Sequence, residues 1–305
     1  MTMKRDGRGY MRKVRLIYNP VAGDARFKNR LDTVIKNFQK SGYIVSPYRL
    51  MKANDMDNAL CDVDDKYSAI AISGGDGTIN NLINAMKRNA VDLPIGIFPF
   101  GTSNDFAAHI GIPKNISQCC DMITDGEIIN VDAGTVNGTY FVNVCSAGLL
   151  AEVAYKTDIG MKNSLGKMAY YLKGFEEIPK LKPIAMRMEY DDKVIDDNFY
   201  LFLVLNGRSA GGFLRLAPYA SVCDGLLDVI AIKAANITNV INLVLKVLKG
   251  EHTSDPNIYH FQTDNLKISS NQIFESDIDG ERGPVFPLSI GVKKGDIKVF
   301  IPSRG

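Results

Sequence analysis

Apolar residues fall in short uninterrupted blocks through the first 130 positions, with helical spacing between them. Val14 to Tyr18, Ile44 to Leu50, Ala69 to Ser73 and Leu93 to Pro99 are blocks of strand length. Phe27, Leu31, Val34, Ile35 and Phe38 recur on one helical face, and Gly42 closes that helix. Ile79, Leu82, Ile83 and Met86 repeat the pattern after the third block. Strands separated by helices predict βαβ units and a mostly parallel sheet, with ligands at the carboxyl ends of the strands.

After about residue 128 the pattern changes to hairpins. Ile128 to Val136 and Tyr140 to Cys145 flank Asn137-Gly138, a two-residue turn signal. Ile184 to Tyr190 and Val194 to Leu205 flank Asp191-Asp192-Lys193. Leu226 to Ile232, Ile258 to Phe261, Leu266 to Ser269 and Ile273 to Asp277 follow, and Ile297 to Ile301 closes the chain. Helices are expected over Ser164 to Glu177 and Thr238 to Leu248. The pattern predicts an α/β domain over residues 13–130 and a β-rich, mainly antiparallel, sandwich-like domain over 131–291. The last strand, in 292–305, is expected to pack back on the first domain.

Composition narrows the function classes. The chain has 305 residues, 46% hydrophobic and 23% charged, with a net charge of +2, which is too small for bulk nucleic-acid binding. Basic residues gather at Lys4, Arg5, Arg8, Arg12 and Lys13. Residues 1–12 read as a flexible leader, with an electrostatic membrane tether as the alternative. No signal-peptide core or membrane-spanning run is visible, so the expected location is cytoplasmic. The five cysteines, Cys61, Cys119, Cys120, Cys145 and Cys223, show no C-x-x-C spacing and read as reduced thiols. His109, His252 and His260 are scattered singly and read as surface or packing residues.

The candidate chemistry lies in three strand-end loops that can face one crevice: Asn19-Pro20-Val21-Ala22-Gly23, Gly74-Gly75-Asp76-Gly77-Thr78, and Gly101-Thr102-Ser103-Asn104-Asp105. Glycines before a helix let backbone amides approach phosphate. A carboxylate beside phosphates calls for a cation, so Asp76 points to a nucleoside triphosphate with Mg²⁺ and to phosphoryl transfer. The Thr78 hydroxyl suits phosphate or a helix cap. Thr102, Ser103 and Asn104 offer donors and acceptors, and Asp105 either caps the next helix or works on substrate or metal. Farther on, alternation along a strand would put Asp279 and Glu281 on one face as a general base and its partner, unless Asp279-Gly280 is a plain hairpin turn. Asp224-Gly225 is either a turn into a strand or, with flanking carbonyls, a hard-cation site. Lysines from Lys156 to Lys182, interleaved with Tyr155, Tyr170, Tyr171 and Phe175, read as a solvated helix face or as a rim for anionic lipid.

Asn19-Pro20 with Gly23, Gly74 to Asn80, Gly101 to Ala107, Gly211-Gly212 with Ala217-Pro218, Asp224-Gly225 and Asp279-Gly280-Glu281 stand in family order. Together they resemble the diacylglycerol kinase catalytic-domain family, in its bacterial soluble lipid-kinase branch, from about Val14 to Pro302. The resemblance implies an NAD-kinase-like nucleotide domain followed by a lipid-side domain. ATP would lie in the cleft between them, its phosphates against Gly74, Gly75, Asp76, Gly77, Thr78, Ile79 and Asn80, with Asn19, Pro20, Gly23 and Thr102 nearby. It implies Glu281 as proton acceptor with Asp279 beside it, and Asn104 and Asp105 toward substrate. A Mg²⁺ site would fall on the Ser221 carbonyl, the Asp224 carboxylate and the Leu226 carbonyl. The substrate would be a lipid hydroxyl reached by peripheral contact at the inner face of the membrane, and exposed strand edges leave room for a homodimer. The family's ATP-contacting threonine after the second strand is absent, because that region reads Tyr48-Arg49-Leu50-Met51-Lys52. Related small-molecule kinases, NAD kinase among them, share the glycine–aspartate turn, and a non-catalytic nucleotide- or lipid-binding protein is the other alternative.

Overall fold

A computed structural model describes residues 12–23, 25–51, 55–148, 182–213, 215–236, 239, 242–243, 246–247 and 250–303. The expected helix over 164–177 and the lysine-aromatic stretch up to residue 181 lie outside them, as do residues 1–11, Lys52 and much of 238–248. Two compact units divide the chain: one runs to Val131 and resumes at Asp296, and the other is Asp132–Gly295.

The first unit is built on parallel strands β1 (Lys13–Tyr18), β2 (Ile44–Arg49), β3 (Tyr67–Gly74) and β4 (Ile95–Pro99). Strands β2, β1, β3 and β4 pair in that spatial order, all parallel. Strand β3 is the most enclosed, with Ala69, Ile70, Ala71 and Ile72 all at or below 1% exposure. That is the expected pattern for a parallel strand covered on both faces, and each such Ile contributes roughly 1.5–3 kcal/mol by burial.

Around the sheet lie α1 (Leu31–Lys40), α2 (Met56–Leu60), α3 (Asp76–Arg88), α4 (Asp105–His109) and α5 (Ile116–Asp125). Helix α3 buries Ile79, Leu82, Ile83 and Met86, the face read from the sequence. Phe27 is buried at the head of a short 3-10 turn, Phe27–Arg30, that leads into α1. It packs at ring-centroid distances of 5.4 Å from Phe98 and 5.1 Å from Phe100, so the loops after β1 and β4 share one aromatic anchor.

Helix α5 has a sequence signal of its own in Ile116, Cys119, Cys120 and Ile123, spaced three and four apart behind Asn115. The Asn115 side chain accepts from the amides of Ser117 and Gln118, an N-cap. A Cβ on Gly96 would lie 2.4 Å from Ile123 Cδ1, so glycine in β4 lets α5 sit close against the sheet. Burial pushes the Cys119 thiol up to about 12 and the Cys120 thiol to about 11, so both stay protonated.

The second unit is antiparallel. Strand β5 (Glu127–Val136) turns at Asn137-Gly138, both at positive φ, into β6 (Thr139–Phe141). The expected strand Tyr140–Cys145 is broken after Phe141, and β7 (Val144–Gly148) pairs elsewhere. The break has a cause. The amides of Val142, Asn143 and Val144 are drawn off to one carboxylate, that of Asp279.

Strands β8 (Ile184–Tyr190) and β9 (Lys193–Leu205) form a hairpin whose loop is two residues, because Lys193 pairs with Tyr190. Long β9 also pairs with β7 and with β10 (Leu227–Lys233), and β10 pairs with β11 (Ile258–Thr263). Strand β12 (Asn265–Ser269) bridges β8 and β15 (Leu288–Ile301). Strands β13 (Glu275–Ile278) and β14 (Glu281–Val285) make the last hairpin. Phe199, Phe202, Met186, Met188, Leu266 and Ile290 form the core of this unit. The final strand extends into the first unit, where Val299 pairs in parallel with Ile95 of β4 and Lys87 holds Asp296 at 2.8 Å.

Candidate active site

Three loops at the carboxyl ends of β1, β3 and β4 meet in the first unit. The Asn19 amide donates to the Ser73 carbonyl at 3.1 Å, and the Phe100 amide donates to the Gly74 carbonyl at 3.1 Å. Asn19 Oδ1 accepts from the Val21 amide, which folds the 19–23 turn, and Pro20 is buried within it. Gly23 has φ +56°, and a Cβ there would stand 2.4 Å from the Phe100 carbonyl oxygen. A Cβ on Gly101 would lie 2.2 Å from the Gly75 Cα, and one on Gly74 would lie 2.4 Å from the Thr78 Cβ. Gly23 and Gly101 therefore serve loop-to-loop contact, and Gly74 makes room for Thr78 of the same turn.

Gly75 is the N-cap of α3, is extended, and brings no side chain to cap the helix. The first-turn amides of a thirteen-residue helix thus point into the loop cluster with their dipole unopposed by a side-chain cap at Gly75. Gly77 and half-buried Thr78 sit in that first turn, and the Thr78 amide donates to the Gly75 carbonyl at 3.0 Å. Ile79 is buried, and Asn80 Oδ1 accepts from Asn84 Nδ2 one turn along the helix.

Asp76 has work that the sequence did not disclose. Its Oδ2 accepts the Asp105 amide at 3.1 Å and its Oδ1 accepts the Phe106 amide at 3.0 Å. These two backbone donors tie Asp76 to the start of α4. Asn104 is left-handed at φ 55° and turns its side chain back on its own loop: Oδ1 accepts from the Gly101 amide, and Nδ2 donates to the Gly101 and Pro99 carbonyls. Asp105 is buried as the first residue of α4, and Thr102 stands exposed. In the region of the missing threonine, Asp55 ties the chain by accepting from the Tyr48 hydroxyl and the Met51 amide, both at 3.0 Å.

The second unit carries the other carboxylates. Asp279 and Gly280, at φ 51° and 89°, are the two turn residues between β13 and β14. Strand alternation therefore does not relate Asp279 to Glu281, and the hairpin-turn reading is the one observed. Asp279 accepts three amides, from Val142 at 2.7 Å and from Asn143 and Val144 at 2.9 Å each. These occupy most of a carboxylate's acceptor capacity. Glu281, by contrast, opens β14 exposed. Cys145 lies fully buried nearby; burial, with Asp277 and Asp279 close, pushes its thiol upward.

The 221–226 turn is folded by Asp224, whose Oδ1 accepts the Leu226 amide at 2.9 Å, and by Ser221, whose hydroxyl accepts the Cys223 amide. Among the described residues no three His, Cys, Asp or Glu side chains gather for a metal. The remaining option is a set of one carboxylate and main-chain carbonyls. That all-oxygen set, from Ser221, Asp224 and Leu226, fits a hard divalent cation in kind.

Asp132, which the sequence reading passed over, is the carboxylate behind this turn. It is 1% exposed and accepts the Gly225 amide at 2.6 Å and the Gly295 amide at 2.7 Å. Its signal was present: an acidic residue inside the apolar run from Ile128 to Val136.

Residues 13–136 match the family described as the diacylglycerol kinase catalytic domain. Residues 143–301 match the one described as the YegS C-terminal NAD kinase beta sandwich-like domain. A diacylglycerol kinase of Bacillus subtilis (strain 168) is 36% identical over 279 residues, covering 91% of this chain and 92% of the relative. One of Staphylococcus saprophyticus is 34% identical and covers 96% of each. The crystal structure of a diacylglycerol kinase from Bacillus anthracis superposes with a TM-score of 0.80 at 26% identity, covering 95% of this chain and 97% of that one. The chain belongs to the diacylglycerol kinase catalytic-domain family, a family of lipid kinases.

Proposed function

We propose that the chain transfers the γ-phosphoryl group of Mg·ATP to the hydroxyl of a lipid of the diacylglycerol type, giving phosphatidic acid and leaving ADP. The observation that carries this reading is the meeting of three strand-end loops at the N-terminus of α3, where Gly75 brings no side-chain cap. The names of the relatives support the lipid acceptor. Amides at the start of α3 and the exposed Thr102 hold phosphate oxygens, and Glu281 takes the hydroxyl proton as the acceptor oxygen attacks in line. Of the two C-terminal carboxylates, Glu281 is favoured because Asp279 is spent on the 142–144 amides. A bound Mg²⁺ supplies charge neutralisation, and Ser221, Asp224 and Leu226 are the residues that would hold a second, structural ion. The enzyme meets its substrate by peripheral contact with the membrane surface. Among the described residues no helix is long and apolar enough to cross one.

The test is a kinase assay with radiolabelled ATP against a panel of diacylglycerol, phosphatidylglycerol, a sphingoid base and a polyprenol in mixed micelles, with NAD assayed alongside and products identified by mass spectrometry. Phosphatidic acid formed only with Mg²⁺ present is expected. Label transferred to NAD instead, or to no lipid in the panel, overturns the reading.

A further inference from the structure

We infer that Asp76 is a positioning residue. Its carboxylate clamps the opening of α4 to the first turn of α3, and so sets where residues 101–104 stand against that turn. The inference rests on the phosphoryl-transfer reading for its kinetic consequence only.

The start of α4 needs an outside acceptor. The first amides of any helix lack intrahelical partners. Here the residues bearing them are buried, Asp105 at 3% and Phe106 at 1% exposure. The natural cap, Asn104, is unavailable because its left-handed backbone turns both side-chain atoms onto Pro99 and Gly101. Asp76 fills the vacancy from a different element, one oxygen to each amide at 3.1 and 3.0 Å.

The clamp works because the two loops touch without side chains. A Cβ on Gly75 would come within 2.9 Å of the Gly101 Cα, so only paired glycines bring Asp76 within reach of α4. Asp76 also lies in the first turn of α3, where a carboxylate is favoured by the helix dipole. Each of its oxygens thus accepts one backbone donor, and the two bonds together tie the start of α4 to the first turn of α3.

The test uses the full chain and compares wild type with Asp76→Asn and Asp76→Ala. Amide hydrogen exchange at Asp105 and Phe106 is the first readout. Protection is expected to fall about tenfold or more in Asp76→Ala, with a smaller loss in Asp76→Asn, which keeps one acceptor oxygen. Titrating Mg²⁺ into wild type should leave both amides as they were. The second readout is kinetic: kcat falls in Asp76→Asn while the Mg²⁺ concentration for half-maximal rate stays in place. Unchanged exchange at both amides in Asp76→Ala overturns the clamp, as does a raised Mg²⁺ requirement in Asp76→Asn with protection retained. Should Asp76→Ala not fold, Asp76→Asn carries both readouts. Should no lipid be phosphorylated, the function proposal falls and the exchange result still decides this one.

Discussion

Asp279 and Glu281 are two residues apart and face opposite demands. Glu281→Gln keeps the shape of an exposed side chain and removes a proton acceptor. We expect kcat to drop by about 10²–10⁴ with melting temperature and ATP affinity unchanged, as read by steady-state kinetics, thermal melts and calorimetry. Asp279→Ala strands three amides at once and should cost at least about 2 kcal/mol in urea unfolding. Equal kinetic loss in both variants with no loss of stability would remove the distinction.

His252 offers a second residue-scale test. It is fully buried, with Nε2 at 2.8 Å from the Leu216 carbonyl, and burial holds its imidazole below the usual value of 6.5. The unfolded chain therefore binds a proton more readily than the folded one. Stability is full above about pH 6.5 and falls as pH drops below it. His252→Gln, which keeps a donor for Leu216, should flatten this acid limb of a melting-temperature profile. An identical slope in both proteins would sink the assignment.

At the scale of elements, the glycines are the clearest case of what sequence reading reaches and misses. Strand–glycine turn–helix was visible at Gly74 to Thr78, and the burial of Ile79, Leu82, Ile83 and Met86 follows the spacing that predicts it. The purpose of the glycines was not visible. Close approach of backbone to phosphate and close approach of one loop to another demand the same residue, and the facing Gly101 shows that the second demand is present. The amide bonds of Asp76 are not legible in the sequence for a related reason: its partners, the amides of Asp105 and Phe106, lie 29 and 30 positions away and carry no side-chain signature. Asp132 was missed because its partners, Gly225 and Gly295, are farther still. Helix α5 could have been found, since Asn115 and its apolar spacing obey local rules. At this scale, Gly101→Ala places a methyl group 2.2 Å from the Gly75 Cα, where no side chain can give way. A loss of about 1–3 kcal/mol in urea unfolding is expected, together with a raised KM for ATP. Native stability and KM would show that the loops separate freely.

The whole molecule is organised by two chain crossings, one at Val131 and one at Gly295. The first unit is complete only when the stretch from Asp296 returns to it: Val299 pairs with β4, Lys87 binds Asp296, and Lys298 binds Asp92 at 2.6 Å. Residues 12–131 alone should lack a cooperative thermal transition by circular dichroism. The same fragment joined to 296–303 should regain one. A short glycine linker suffices, because Gly295 N lies 2.7 Å from Asp132 Oδ1, which brings the two crossings side by side. A sharp melt in the shorter fragment would contradict this dependence.

That return has a cost during synthesis. With 164 residues between Val131 and Asp296, a ribosome adding about 5–20 residues per second leaves the outer edge of β4 without its neighbour for about ten to thirty seconds. An apolar strand with open amides is a template for joining another chain. The nascent kinase is thus most exposed to aggregation in that interval, and a chaperone that shelters Ile95 to Pro99 until the stretch from Asp296 has been made would raise the yield of active enzyme.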